Sequence, residues 1–207
     1  MPLQNRIDPC GRIFRTEARG TIMGNRGGVL HRDREIVRTF KSRRWIACLL
    51  EFKGRRRVVM TEKRYTELFF LDEAVAFAAG HRPCAECRRE RFNAFKEAWR
   101  RVKGLDKLPF ADEMDSVLHS ARIDSSRNKV TWQAELRSLP DGCLVQLEGR
   151  PFLVWRDGLF LWTPQGYHRR ASAPEDKIVT VLTPEPIAGC FREGYTPQIH
   201  YSVTESC

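Results

Sequence analysis

A histidine and two cysteines fall close together in the run AGHRPCAECRRERFNAF at positions 79–95, at a spacing that suits a metal ion. Cys84 and Cys87 form a C-x2-C pair, His81 stands three residues before it, and Pro83 lies between. Proline is favoured in the first turn of a helix, so Pro83 is expected to open one, with both thiols in that turn. Unpaired amides and the positive helix end there favour thiolate, the form that ligates zinc. Tetrahedral Zn2+ accepts Cys and His alike. A redox pair and two incidental core cysteines are the competing readings. The redox motif needs a buried strand feeding the helix, whereas a helical segment and Gly80 come first here.

Around the pair, the segment FLDEAVAFAAGHRPCAECRRE resembles the second half of the small zinc domain of the Ada family of DNA-alkylation repair proteins. In that family a short helix, an AAG stop and an RPCxxC run lead into a helix, and both cysteines bind zinc. The likeness covers 65–90 and implies that Cys84 and Cys87 are zinc ligands. The family's other two ligands are cysteines on a preceding hairpin, one of them the acceptor of a methyl group from DNA. This chain has KGRRRVVMTEKR in about that place, without cysteine, so methyl transfer is not carried over. Cys48, on the preceding strand-like run, is the nearest upstream thiol. Cys48, His81, Cys84 and Cys87 would make a closed structural site, and Cys10 and His31 are alternative ligands.

Two other chemistries compete. A zinc deaminase also carries P-C-x-x-C, together with an upstream H-x-E, but the nearest match here is HRD, with His31 and Asp33. In ADEMDSVLHSARID, Asp115 and His119 are four residues apart on an expected helix, so they would be surface neighbours. With Glu113 close by and Arg122 as a phosphate clamp, they could serve a metal-assisted hydrolase or nuclease. A simple surface contact is the plainer use of such a pair.

The formal net charge is +10, and much of it lies in the clusters FKSRRW, FKGRRR and CRRERF. Neutralising phosphates releases counterions, so this balance favours a polyanion, DNA ahead of RNA. Arg43, Arg44, Arg55, Arg56, Arg57, Arg88 and Arg89 are the expected contacts. The Gly-rich stretch ARGTIMGNRGGVLHRD could cradle an anion beside Arg19 and Arg26, or simply be a loop. Nothing pairs the basic clusters with an apolar face, and no apolar run reaches the roughly 18 residues of a membrane span, so a membrane partner is not expected. MPLQNRIDPCGRIF lacks the apolar core of a secretory signal, and seven cysteines, an odd and scattered set, do not look like a disulfide framework. A cytoplasmic protein is expected.

The elements that must position these residues read as α+β. An apolar run at 45–52, a KGR turn and RVVM suggest a hairpin, followed by a short strand at 67–70. Asp72 is a natural N-cap for a helix stopped by Gly80. Phe92, Phe95, Trp99 and Val102 form the apolar stripe of the next helix. Beyond Ser138, short aromatic and β-branched runs broken by Gly and Pro predict an antiparallel β-meander, in which Trp155 and Trp162 are the tryptophans best placed for partial exposure. The expected organisation is a mixed region at 1–138, holding the zinc module at about 43–104, and a β-rich region at 139–207 packed against it.

Overall fold

The computed structural model describes residues 1–54, 58–156, 158–170 and 177–205. In chain order the elements are β1 (Gln4–Ile7), β2 (Ile13–Arg15), β3 (Ile22–Asn25), β4 (His31–Arg32), β5 (Glu35–Ile36), β6 (Ile46–Cys48) and β7 (Leu68–Phe70). Then come α1 (Glu73–Ala78), β8 (Arg82–Pro83), α2 (Arg89–Val102), α3 (Ala111–Arg122) and β9 (Trp132–Glu135). The chain ends with β10 (Leu144–Leu147), β11 (Arg150–Trp155), β12 (Gly158–Thr163), β13 (Gly166–Arg170), β14 (Ile178–Val181), α4 (Glu185–Arg192) and α5 (Ser202–Glu205). This is an α+β fold. No helix among the described residues is long and apolar enough to cross a membrane.

The strands form two six-stranded sheets, ordered β2-β1-β7-β3-β6-β8 and β13-β12-β11-β10-β14-β9, with β4 and β5 as a separate ribbon. In the second sheet β10 to β13 make the expected meander, every neighbour antiparallel. Its first turn is local chemistry: Glu148 and Gly149 both have positive φ, 51° and 74°, as a two-residue hairpin turn matched to strand twist demands. This sheet is covered on both faces. Val145, Phe152 and Leu159 join Phe92, Phe95, Trp99, Met114 and Leu118 on the helical side. Leu144, Leu153 and Phe160 point the other way, into a cluster with Ile7, Ile22, Phe70 and Val75. Residues from both sides of position 138 therefore share each cluster, and β9, before that position, is the edge strand of the second sheet.

Several local expectations hold. Asp72 caps α1, its carboxylate accepting from the Val75 amide at 2.9 Å, and Gly80 ends the segment with φ of +81°. Phe92, Phe95 and Trp99 are buried along α2. Trp155 and Trp162 are partly exposed.

Two expectations change. Among the described residues the hairpin is not formed, its expected turn reaching into Arg55 to Arg57, which lie outside them: β6 ends at Cys48 and is flanked by β3 (antiparallel) and β8 (parallel), so neither of its edges is left for a returning strand. Leu49 and Leu50 turn out to solvent, and Met60 is held instead by its amide donating to Glu67. Pro83 does not open a helix either. It lies in β8, where the Arg82 and Cys84 amides donate to Trp45 and Ala47 carbonyls and Pro83, lacking an N–H, has none to leave unpaired. Residues 85–88 form a turn, and α2 starts at Arg89.

Candidate metal centre

The register of β6 against β8 builds the site. Ile46 pairs with Arg82 and Ala47 with Pro83, so Cys48 and Cys84 follow side by side at the ends of parallel strands. The turn after Cys84, closed by the Arg88 amide on the Cys84 carbonyl, brings Cys87 back to them. The three sulfurs lie within 4.8 Å of one another. Two backbone amides aim at them: Glu86 N–H donates to Cys84 Sγ and Leu49 N–H to Cys87 Sγ, each at 3.4 Å. Amides pointed at sulfur stabilise thiolate and orient it, the outer support that metal thiolates usually have.

Electrostatics follows the geometry. Thiol hydrogen bonds from Cys48, then from Cys87, pull Cys84 down to about 2, helped by the Cys87 and Glu86 amides. Cys48 moves the opposite way, because it donates to both neighbours and is buried. The cluster therefore favours a thiolate at Cys84, with Cys48 as its hydrogen-bond donor. A divalent ion would replace the shared protons.

The donor set fits such an ion. Around tetrahedral zinc, with bonds of about 2.3 Å, thiolates stand about 3.8 Å apart, a spacing compatible with sulfurs that all lie within 4.8 Å of one another. Three soft sulfur donors suit Zn2+ or another thiophilic ion and are wrong for Mg2+ or Ca2+. Among the described residues no fourth His, Cys or carboxylate joins the cluster. The thiols stand instead on the wall of a cavity of about 430 Å3 that Glu51, Glu67 and Glu86 also line. A fourth ligand would therefore come from solvent or from a bound molecule.

His81 is elsewhere. The register that sets Cys84 beside Cys48 sets His81 beside Trp45, with ring centroids 5.2 Å apart. On extended backbone a three-residue step reverses the face, so His81 points away from the side that carries Cys84. His81 Nε2 accepts from Arg26 Nε at 3.3 Å, and burial, with Arg26 and Arg122 nearby, keeps the ring neutral. Cys10 lines a different cavity, and His31 is buried with Nδ1 2.6 Å from Thr66 Oγ1, so neither serves as the fourth ligand.

The Asp115 and His119 pair is not assembled. Both Asp115 oxygens accept from Arg82, at 2.8 and 2.7 Å, in a buried fork-to-fork pair. His119 packs its edge on Phe40, with Nδ1 3.3 Å from an Arg122 nitrogen. Glu113 accepts from the Phe110 amide at the start of α3. Among the arginines expected to meet phosphate, Arg43, Arg44 and Arg89 are exposed, and Arg44 pairs with Asp112. Arg88 is buried, 3.0 Å from Glu73 and donating to Gln198, and is not free for a ligand. Arg55, Arg56 and Arg57 lie outside the described residues.

Nothing local marks Glu51, Glu67 or the Leu49 amide in the sequence; only the tertiary fold brings the two carboxylates to the cavity that the thiols line and the amide to Cys87. Fold and site together define an α+β protein with a three-cysteine cluster able to hold a metal ion. Compared with protein-family models, curated proteins and solved structures, the chain matches none.

Proposed function

We propose that this chain is a zinc-binding, nucleic-acid-binding protein, with DNA ahead of RNA as partner and with Cys48, Cys84 and Cys87 as the zinc ligands. The observation that carries the reading is the convergence of thiols from β6 and the turn after β8, two segments far apart in sequence, under two amide donors. Cysteines that were merely buried would have no reason to converge within 4.8 Å with backbone amides aimed at two of the sulfurs. The ion ties the end of β6 to the start of α2. The Ada resemblance of 65–90 supports Cys84 and Cys87 as ligands, and Cys48 takes a place that the family fills from its hairpin. Support for the polyanion partner is the net charge of +10 and the exposure of Arg43, Arg44 and Arg89. The hydrolase alternative has no assembled Asp115–His119 pair behind it, and the deaminase alternative lacks its histidine, since His31 is held by Thr66.

Elemental mass spectrometry on untagged, reduced protein tests the metal. About one zinc per chain is expected, lost in Cys48→Ser along with several degrees of thermal stability, because metal affinity is folding free energy. Folded, reduced protein that carries no metal and takes up none would overturn the assignment.

A further inference from the structure

Apart from the cavity beside the thiols, a cavity of about 420 Å3 is lined by Arg26, Arg122 and Lys129 with Arg12 and Arg127 at its exposed margin. Arg26 and Arg122 are each 1% exposed. Buried guanidinium groups are ordinarily matched by carboxylates, as Arg82 is by Asp115 and Arg88 by Glu73. Here they are not. Arg26 donates to the Gly11 and Thr39 carbonyls and to His81, and Arg122 to the Gly80 and Arg43 carbonyls, all neutral acceptors. Lys129 Nζ donates to the Ala78 carbonyl at 2.6 Å. Arg122 Nε has no acceptor. Among the described residues no carboxylate comes within ion-pair distance of Arg26, Arg122 or Lys129; the nearby Asp8 is engaged by Arg12 at 2.7 Å.

The guanidinium groups are also held in place. They flank Trp45, 4.0 Å and 4.1 Å from its ring, so the indole fixes both planes before any ligand arrives. Gly80 permits this closeness, since a Cβ there would meet Arg122 Cδ at 2.5 Å. Arginine has five N–H donors, and neither guanidinium uses all of its own on the carbonyls. Burial lowers Arg26 and Arg122 to about 9 and Lys129 to about 8, and the charges of Asp115 near Arg122 and of Asp8 near Arg26 and Lys129 offset it only in part. A fold that gathers such cations around a cavity with no carboxylate in direct contact with Arg26, Arg122 or Lys129 among the described residues has a place for an anion.

We propose that this cavity binds a phosphate monoester, carried either by a free nucleotide or by the terminal phosphate of a nucleic-acid strand. The dianion matches the convergence of several cations better than a single carboxylate does, and forked arginine donors suit its oxygens. The volume falls within the range of small-molecule sites, so more than the phosphate fits. The site is separate from the thiol cluster: β6 begins beside the cations, after Trp45, and ends at Cys48. It goes beyond the nucleic-acid reading, because exposed arginines contact backbone phosphates without needing a cavity.

The test is calorimetric titration and thermal unfolding of the full chain with inorganic phosphate, AMP, and a short oligonucleotide with and without a 5′-phosphate, at matched ionic strength. Saturable binding of AMP, or of the 5′-phosphorylated strand alone, is expected; the first result assigns a nucleotide and the second a strand end. Lys129→Gln should weaken it about tenfold or more, since a charge-assisted hydrogen bond is lost, while leaving the unliganded protein as stable as before or more so. Arg127→Gln, an exposed position with little influence on folding, should weaken it to a smaller degree. No saturable response to any phosphate carrier, or undiminished affinity in both variants, would overturn the proposal.

Discussion

Asp115 shows how a residue's chemistry is set by what surrounds it. In sequence it faces His119 one turn on, and a carboxylate beside an imidazole is a natural acid–base pair. In the fold it is 2% exposed with both oxygens taken by Arg82, and that pair ties α3 to β8, the strand that precedes Cys84. Taking one partner away leaves a buried, uncompensated charge, a loss of about 3–5 kcal/mol. Asp115→Asn is therefore expected to lower the urea midpoint sharply, whereas His119→Ala, at a partly exposed position, should cost much less. Equal and small effects in the two variants would mean that the pair does not hold α3. The thiols make the same point in reverse. Cys84 and Cys87 are legible because two cysteines three apart are a local pattern, whereas Cys48, a candidate in the sequence only as the nearest upstream thiol, is brought to the cluster by a strand pairing more than thirty residues away, and the same register keeps His81 out of it.

At the scale of elements, what a few neighbouring residues decide was readable and what a distant strand decides was not. Asp72, Gly80, the α2 stripe and the Glu148–Gly149 turn carry their own instructions. The hairpin and the helix start at Pro83 were misread because β6 takes both partners from afar, and Pro83 serves equally well as a helix opener or a strand residue with no amide to pair. The α1 cap has a pH signature of its own. Burial pushes the Asp72 carboxyl up to about 6, against the hydrogen bonds it accepts from the Val75 and His200 amides. A folded-state value above the unfolded one means that the contribution is fullest below about pH 4 and is lost as pH rises through 6. The loss is on the order of 3 kcal/mol by pH 7, from about two units at 1.36 kcal/mol each. Asp72→Asn keeps one acceptor oxygen, for one of the two amides, but never ionises, so it lowers stability at every pH by a constant amount and removes the pH-dependent part. Its stability relative to the parent should improve between pH 4 and pH 7, as read from urea unfolding at both; a change in the other direction would show that Asp72 is ionised in the fold at little cost.

Over the whole molecule, the charge of +10 divides into arginines that hold the fold together and arginines that are available to a partner. Arg82 and Arg88 are buried in ion pairs with Asp115 and Glu73 and belong to the first group, whereas Arg26 and Arg122, against Trp45, line the second cavity and belong with the arginines open to a ligand. Clustering in the sequence does not separate the two groups: Arg88 and Arg89 are adjacent, yet one is buried on Glu73 and the other is exposed. Arg44 pairs with Asp112 at 3.2 Å, but both side chains are more than two-thirds exposed, and such a pair is worth so little that a phosphate can displace it. DNA binding should then be lost with salt. Three contacts, from Arg43, Arg44 and Arg89, give a slope of about −2.7 in log K against log salt, or about 40-fold weaker binding for a fourfold rise in salt. Removing any one of them to alanine should flatten the slope by about 0.9 whatever the DNA sequence, while Arg88→Ala should destabilise the protein and leave the slope of the folded fraction unchanged. Fluorescence anisotropy over a salt series reads both quantities. Binding insensitive to salt would remove DNA as the partner, and a slope that flattened for Arg88→Ala but not for Arg89→Ala would mean that the partner displaces Arg88 from Glu73, making the buried ion pair itself part of the interface.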